Sequence, residues 1–251
     1  MTGLLEGRFA AITGAASPRG LGKAMGRLFA EHGATVALLD LEGDAAAAAA
    51  ADIGPDHIGL ACNVTDKAAC EAAAQALLDR WGRIDVLVNN AGITQPLKIM
   101  DISPDNYEAV TDVSLRGMLY MSQAVIPCMR AQQSGSIVNL SSVSAQRGGG
   151  IFGGPHYSAA KAGMLGLTKA MARELGPDNV RVNAICPGYV GTDIAGDLMT
   201  PELLESIVAG VPLGRAGEAR EVAGCALFLA SDLSSYSTGP EVDVNGGSHI
   251  H

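Results

Sequence analysis

The sequence carries little positive charge for its length. Its 17 Lys and Arg residues stand against 26 Asp and Glu residues, which gives a formal net charge of −9 at pH 7. Proteins that bind nucleic acid non-specifically need a basic surface, because contacts to phosphates supply most of that affinity. The composition therefore argues against nucleic acid as a partner, and more weakly against docking onto acidic carrier proteins.

Cysteines are few, and long uncharged apolar runs are missing. None of the five cysteines stands in a Cys-x-x-Cys pair, so we expect free thiols in a reducing compartment, without a disulfide framework or a metal site. No apolar run is long enough to cross a bilayer, and residues 1–8 lack the pattern of a signal peptide. We therefore expect a cytoplasmic protein without a membrane partner. The cysteines are Cys62, Cys70, Cys128, Cys186 and Cys225.

Aromatic residues make up only 4% of the chain, whereas alanine, glycine and short apolar runs are abundant. Continuous apolar strands that alternate with helices indicate a parallel sheet covered on both faces. We predict one doubly wound Rossmann α/β domain over residues 1–251, with seven parallel strands flanked by helices. The predicted strands are 9–13, 34–39, 57–62, 84–88, 136–140, 180–185 and 241–244. The predicted helices are 21–32, 45–51 with Asp44 as its cap, 66–81, 103–132 with a kink, 157–175, 201–209 and 218–231.

A glycine-rich turn, residues 13–22, joins the first predicted strand to the first predicted helix. Glycines let the backbone approach a pyrophosphate, which the free N–H groups and positive dipole end of a helix attract. Asp40 ends the second strand twenty residues after Gly20, where a carboxylate can bind the ribose hydroxyls of NAD and repel a 2′-phosphate. Arg19 would instead favour the 2′-phosphate of NADP. We expect NAD, with NADP less favoured, and a tight turn with a cap at Asp40 as the alternative without a ligand.

Tyr157 and Lys161 lie four residues apart in a stretch that predicts a helix. On a helix they share one face, so an ammonium would sit beside a phenol, lower its pKa and let it act as a general acid or base. Taken alone, the pair is more typical of a surface lysine lying along a half-buried tyrosine. The glycine-rich turn and Asp40 favour the catalytic interpretation.

Together these motifs resemble the short-chain dehydrogenase/reductase family, in its single-domain branch. The resemblance implies interconversion of an alcohol and a carbonyl compound with NAD or NADP on a seven-stranded Rossmann sheet, usually in a homotetramer. The matching segments are residues 13–22, Asp40, Asn63-Val64, residues 89–92, residues 141–143, Tyr157-x-x-x-Lys161, Pro187-Gly188 with Thr192, and residues 245–247.

The family pattern also implies roles for individual residues. Tyr157 resembles the catalytic acid/base, Lys161 the residue that binds the nicotinamide ribose, and Ser142 the residue that hydrogen-bonds the substrate oxygen. Thr192 is similar to the contact for the nicotinamide carboxamide, and Asn63 replaces an Asp that touches the adenine amine. The implied cofactor-binding residues are Gly14, Ser17, Arg19, Gly20, Leu21, Asp40, Leu41, Asn63, Val64, Asn90, Ala91, Gly92, Tyr157, Lys161, Pro187, Gly188, Val190 and Thr192.

Three features depart from the family pattern. The glycine turn is two residues longer than usual, and so is the segment between Ser142 and Tyr157, which carries five glycines. Ser114 stands where many members have an Asn that anchors a water in a proton relay. Its hydroxyl can hold such a water, which makes it a candidate catalytic residue, or it can simply pack on a helix face.

The sequence thus predicts an NAD-dependent oxidoreductase that interconverts a secondary alcohol and its ketone. The polar residues Gln95, Gln146 and His156, close to the predicted site, indicate a small polyol, sugar derivative or other hydroxy compound as the substrate. His156 is, however, better explained as a loop histidine. The alternatives are an NADP-dependent 3-oxoacyl-thioester reductase and, from another class, a non-catalytic dinucleotide-binding sensor. His249 and His251 at the chain end could reach a neighbouring subunit, but frayed termini are commoner.

Overall fold

The computed structural model describes residues 3–150, 152–193 and 199–250; His251 lies outside them. Their strands form a seven-stranded sheet in the order β3-β2-β1-β4-β5-β6-β7, in which every pairing is parallel. The order reverses between β1 and β4, as in a doubly wound fold. The predicted fold class is confirmed. The strands are β1 Phe9–Thr13, β2 Thr35–Asp40, β3 Ile58–Ala61, β4 Val86–Asn89, β5 Gly135–Leu140, β6 Val180–Pro187 and β7 Glu241–Val244.

Helices follow the strands and cover both faces of the sheet. Short 3₁₀ turns lie at Ile99–Asp101, Gly176–Asp178 and Asp232–Ser234, and a π-helical turn at Asp112–Arg116. The helices are α1 Leu21–Glu31, α2 Gly43–Ala51, α3 Lys67–Trp81, α4 Pro104–Thr111, α5 Gly117–Gln132, α6 Val143–Arg147, α7 Pro155–Leu175, α8 Pro201–Ala209 and α9 Ala219–Ala230. No helix among the described residues is long and apolar enough to cross a bilayer.

The apolar strands divide their side chains between two cores, because successive residues of a strand point to opposite faces. Val88 joins the core formed with α1 and α9, and its neighbour Leu87 joins the core formed with α3, α5 and α7. At the amino end of β1, the ring of Phe9 packs on the indole of Trp81, with ring centroids 5.1 Å apart. Burial on both faces explains why these strands read as continuous apolar runs.

Helix ends follow the local signals in most places. Asp66 caps α3 by accepting from the backbone N–H groups of Ala68 and Ala69, and Gly82 ends the helix at a φ of 72°. Asp44 does not cap α2 as predicted. Glu42 occupies the N-cap position and Asp44 falls in the first turn, where its charge still suits the helix dipole.

Three stretches differ from the prediction. The region 103–132 is two helices, α4 and α5, separated by the π-helical turn Asp112–Arg116, whereas the sequence predicts one kinked helix. The short helix α6 lies just before the glycine-rich segment 148–154, in a stretch where the sequence predicts no helix. The helix α7 begins at Pro155, two residues before Tyr157, because proline fits the first helical turn.

Replacing Gly59 by alanine tests how closely β3 packs under α2. A Cβ atom at Gly59 would overlap the backbone of Ala46 and Ala47, which cannot rotate away as a side chain could. We expect Gly59→Ala to lower the free energy of unfolding by about 3 kcal/mol in urea denaturation, the upper end for overpacking. Gly54→Ala is the control, since a Cβ there meets the His57 ring at ordinary contact distance. Equal stability of the two variants would contradict the close approach.

Candidate active site

A cleft of about 600 Å³ opens at the carboxyl ends of the strands, beside the point where the strand order reverses. In open α/β sheets, ligands bind at this place. Among the described residues, the predicted site residues Arg19 and Ser114 lie outside the cleft lining. The predicted residues that do line it are Gly14, Ser17, Gly20, Leu21, Asp40, Leu41, Asn63, Val64, Asn90, Ala91, Gly92, Ser142, Tyr157, Lys161, Pro187, Gly188, Val190 and Thr192.

Ser142, Tyr157 and Lys161 meet at one wall of the cleft. Ser142 caps α6, where its Oγ accepts from the backbone N–H of Ser144 at 3.1 Å, and its hydroxyl hydrogen-bonds the phenol oxygen of Tyr157. Lys161 lies one turn after Tyr157 on α7, with its Nζ 5.7 Å from the centroid of the tyrosine ring. That Nζ donates to the carbonyl oxygen of Leu140, at the end of β5, at 2.7 Å. The four-residue spacing and the strand end thus place the three side chains together.

Burial changes the electrostatics expected from the sequence. It raises the pKa of Tyr157 above its ordinary value, and the hydrogen bond from Ser142 opposes that rise. Burial also lowers the pKa of Lys161 to about 8. The sequence predicts a lowered pKa for Tyr157, whereas in the structure the loss of water around the phenol raises it.

Ser114 is held in the π-helical turn between α4 and α5, and its side chain is 1% exposed. Its Oγ has no hydrogen-bond partner within the described ranges. A Cβ built on Gly92 would lie 3.3 Å from Lys161 Nζ and 3.6 Å from Ser114 Oγ, so both polar atoms face the same small space. A buried hydroxyl and an ammonium that share such a space are suited to holding a water between them.

The glycine turn is shaped by its contact with the end of β4. Gly14 has a φ of 63°, and a Cβ there would come within 2.7 Å of the Cα of Ala91. The Asn90 amide donates to the carbonyl oxygens of Thr13 and Gly14 at 2.9 and 2.8 Å. These contacts hold the turn below the amino end of α1, where a helix can accept an anion.

Asp40 lies at the carboxyl end of β2, directly beside the glycine turn. Its Oδ2 accepts from the backbone N–H of Ala16 at 2.9 Å, so the carboxylate is fixed against the glycine turn. Asn63, beyond it, uses Oδ1 to accept from the backbone N–H and the hydroxyl of Thr65 at 3.1 and 2.9 Å. Both side chains still line the cleft. The acidic group therefore lies where the sequence places a ribose partner.

Asp193 binds two residues of the glycine turn, which nothing in the sequence indicates. Its carboxylate accepts from Ser17 Oγ at 2.7 Å, from Arg19 Nε at 2.6 Å and from the Arg19 backbone N–H at 3.2 Å. These donors hold the pKa of Asp193 below its ordinary value, with Ser17 contributing most. Asp193, directly after Thr192, is thus hydrogen-bonded to the glycine turn.

Gln95 and His156 form a partly buried pair, with His156 Nε2 3.1 Å from Gln95 Oε1. His156 is 2% exposed, and neither residue belongs to the described lining of the cleft. Gln146 donates to Asp243 at 2.9 Å and also lies outside that lining. Each of these side chains is engaged by a neighbouring protein group, which agrees with a structural role for His156, and the preference for a polar substrate stays a prediction.

The substrate end of the cleft has residues that the sequence does not single out. The rings of Phe152 and Tyr189 stand there with centroids 6.2 Å apart, and Thr94, Ser144 and Ile207 also line the cleft. An aromatic residue inside the glycine-rich segment 148–154 is the one signal that could point to them. This end is accordingly more apolar than predicted.

Asp193→Asn tests whether this carboxylate competes with a phosphate for the glycine turn. The change removes the negative charge beside Ser17 and Arg19 while keeping the size of the side chain. Because like charges repel and the same donors cannot serve both groups, we expect ADP-ribose to bind roughly 5- to 10-fold more tightly in low-salt calorimetry. Glu31→Gln, which breaks the ion pair with Arg220 outside the cleft, should leave that affinity unchanged. Weaker binding by Asp193→Asn would contradict competition.

Comparisons with known proteins agree with this arrangement. Residues 14–249 match the family model described as enoyl-(acyl carrier protein) reductase. The chain is 56% identical over 252 residues to an uncharacterized short-chain type dehydrogenase/reductase, y4mP, of Sinorhizobium fredii, covering 99% of this chain and 100% of the relative. It is 41% identical to the 3-oxoacyl-[acyl-carrier-protein] reductase FabG of Thermotoga maritima, covering 97% and 98% of the two chains.

A solved structure is similar throughout its length. It is 3-ketoacyl-(acyl-carrier-protein) reductase from Brucella melitensis complexed with NADH, which superposes with a TM-score of 0.92 at 33% identity. The match covers 98% of this chain and 100% of that one. A short-chain type dehydrogenase/reductase from Mycobacterium marinum gives a TM-score of 0.91, also at 33% identity, over 98% of this chain and 97% of the other.

Proposed function

The chain belongs to the short-chain dehydrogenase/reductase family, and we propose that it interconverts a secondary alcohol and its ketone with NAD as the preferred cofactor. The meeting of Ser142, Tyr157 and Lys161 at one wall of the cleft carries this proposal. The glycine turn and Asp40 line the same cleft. A side chain that moves a proton and a site that holds a dinucleotide are therefore within one cavity.

In the oxidation direction, Tyr157 takes the hydroxyl proton of the alcohol, and in reduction it returns a proton to the carbonyl oxygen. Negative charge develops on that oxygen in the transition state, and the hydroxyls of Ser142 and Tyr157 donate to it. Lys161, fixed by Leu140, provides the positive charge that favours the phenolate. The dinucleotide, held by the glycine turn, Asp40 and Thr192, supplies the hydride chemistry when bound.

Ser114 takes the place of the relay asparagine in this proposal. Its orphaned Oγ faces the same space as Lys161 Nζ beside Gly92. A water hydrogen-bonded to both would connect the buried ammonium to the exterior, so that Tyr157 can be reprotonated between turnovers. The π-helical turn supports this role, since such turns are frequent at functional sites.

The cofactor preference rests on two charged residues of opposite sign. Asp40 lies at the carboxyl end of β2, where it would repel a 2′-phosphate and accept from ribose hydroxyls. Arg19, the residue that would favour NADP, donates its Nε–H to the carboxylate of Asp193 instead. The guanidinium of Arg19 is thus paired with Asp193 rather than left to bind a 2′-phosphate. This supports NAD over NADP.

Two substrate classes follow from different observations. The mechanism fits a small secondary alcohol, polyol or other hydroxy compound. The 3-oxoacyl-carrier reductases among the relatives favour reduction of a 3-oxoacyl thioester as the second candidate, and the apolar rings of Phe152 and Tyr189 at the substrate end suit an acyl chain. Assays of polyols and secondary alcohols with NAD⁺, against 3-oxoacyl thioesters with NADH and NADPH, separate the two. A non-catalytic sensor would bind NAD and turn over neither class.

The family resemblance also leads us to propose a homotetramer of single-domain subunits in the cytoplasm. Exposed apolar side chains at Leu213, Phe228 and Leu233 support association, because subunit contacts cover surfaces of this kind.

Tyr157→Phe tests the proton-transfer role directly. The change removes the phenol oxygen and keeps the ring, so NAD should still bind while kcat falls about 10²- to 10⁴-fold, the usual contribution of general acid–base catalysis. Steady-state kinetics on the best substrate and calorimetry with NAD give the two readings. Tyr107→Phe, on the exposed face of α4, is the matched control and should turn over normally. Near-normal kcat in Tyr157→Phe would end the assignment.

Asp40→Asn tests the source of the cofactor preference. The amide oxygen can still accept from the backbone N–H of Ala16, so the glycine turn keeps its shape while the charge is lost. We expect the ratio of kcat/KM for NADP⁺ to that for NAD⁺ to rise roughly 10- to 100-fold, since repulsion between close charges is worth a few kcal/mol. Asp44→Asn, an exposed carboxylate on α2, should leave the ratio unchanged. An unchanged ratio in Asp40→Asn would place the discrimination elsewhere.

A further inference from the structure

Two cysteines that the proposed mechanism does not use face each other at the edge of the cleft. Cys62 directly follows β3, and Cys70 lies in the first turn of α3. The Cys62 thiol points at the carbonyl oxygen of Ala69 at 4.0 Å, and the Cys70 thiol donates to that of Val64 at 3.6 Å. The Cys70 thiol also reaches the carbonyl oxygen of Asn63 at 4.0 Å, so each thiol contacts a carbonyl of the residue next to the other cysteine.

The surroundings give the two thiols different reactivity. The neighbouring Cys70 thiol lowers the pKa of Cys62, whereas the Cys62 thiol together with burial raises the pKa of Cys70. Burial raises the pKa of Cys186 to about 12 and that of Cys225 to about 11. Because the thiolate is the reactive form, Cys62 is suited to attack an oxidant and Cys70 to resolve the product.

Cys62 also lines the cleft, next to Asn63 and Val64. Its backbone N–H donates to the carbonyl oxygen of Asp40 at 2.7 Å. A small oxidant can reach Cys62 from the cleft, although its residue is 3% exposed. In the proposed function this is the wall where the adenosine half of the dinucleotide lies. A ligand on that wall would cover the thiol.

We propose that Cys62 and Cys70 are a peroxide-oxidisable pair that closes to an intrachain disulfide, and that this disulfide and a bound dinucleotide exclude each other. A disulfide brings its sulfur atoms to about 2.05 Å, closer than two thiols that are not bonded to each other can approach. Closing the gap pulls the end of β3 and the first turn of α3 together, which displaces Asn63 and Val64. The exclusion rests on the proposed placement of adenosine, whereas the disulfide does not.

The chemistry balances with hydrogen peroxide as the oxidant. The Cys62 thiolate attacks one peroxide oxygen, the O–O bond breaks, and the departing hydroxide takes a proton to become water, leaving a sulfenic acid. The sulfur of Cys70 then attacks the sulfur of Cys62, the S–O bond breaks, and a second water leaves with the Cys70 proton. Two thiols lose two electrons and one peroxide becomes two waters.

The test treats the full-length protein with hydrogen peroxide and identifies the product by mass spectrometry. Trypsin cuts after Lys67, between the two cysteines, so the disulfide joins the peptides 28–67 and 68–80, which reduction separates. We expect this linked pair in the wild type and in Cys225→Ser, which is the matched control. Cys62→Ser should give no link, and Cys70→Ser should stop at a sulfenic acid that dimedone labels. Circular dichroism checks folding, with Cys62→Ala as the second variant.

A second arm tests the exclusion without using turnover. NAD at ten times its Kd should slow formation of the linked peptides about 10-fold, because the free protein falls to about one tenth. The isolated disulfide form should bind NAD at least 10-fold more weakly in calorimetry, and reduction should restore the affinity. Failure to form the link, or oxidation of Cys128 or Cys225 first, would overturn the pair. A link that forms at the same rate with NAD bound would overturn the exclusion.

Discussion

The contact between the end of β1 and the end of β4 is the constraint on which the site depends. Thr13 Oγ1 accepts from the backbone N–H groups of Asn90 and Ala91, both at 3.1 Å. The side-chain amide of Asn90 donates in turn to the carbonyl oxygens of Thr13 and Gly14 in the glycine turn. Without these bonds the two strand ends, where the order of the sheet reverses, would carry unpaired polar groups in a half-buried position. The bonds fix the glycine turn against Ala91 and Gly92, and Gly92 in turn borders Lys161 and Ser114. The phosphate loop and the proposed catalytic side chains are therefore positioned through one set of backbone contacts.

Burying the Lys161 ammonium beside the cleft costs the protein folding free energy. A pKa of about 8, against an ordinary 10.5, corresponds to a free-energy difference of about 3 kcal/mol between the protonation states. One residue before Leu140, Asn139 accepts from Asn89 and donates to Thr168, both at 2.9 Å, which joins β4, β5 and α7 in a buried polar network. A polar network among apolar strands is costly unless its groups are paired. The location of the network beneath the cleft, and the burial of the ammonium, favour a functional reason for both features.

Much of this site is legible in the sequence, and the remainder depends on contacts between distant segments. The spacing of Tyr157 and Lys161, the glycine turn and the position of Asp40 follow from local periodicity, and the structure brings them into one cleft. The bond between Asp193 and Arg19 spans 174 residues, and no local pattern pairs them. His156 and Gln95, which are polar and close to the site in sequence, bind each other, so polarity alone misplaces them. The π-helical turn at Ser114 has the composition of an ordinary helix, so the sequence does not reveal it. The raised pKa of Tyr157 comes from burial, which exists only in the folded chain.

The single tryptophan of the chain has a practical consequence. Trp81 packs on Phe9 at the amino end of β1, whereas the cleft opens at the carboxyl ends of the strands, on the opposite edge of the sheet. Its fluorescence therefore reports the integrity of the sheet and its helices from a position that no ligand in the cleft touches. The emission of a reduced nicotinamide would arise from the other edge. Trp81 emission can thus follow unfolding of the free protein, and nicotinamide emission excited directly can follow cofactor occupancy.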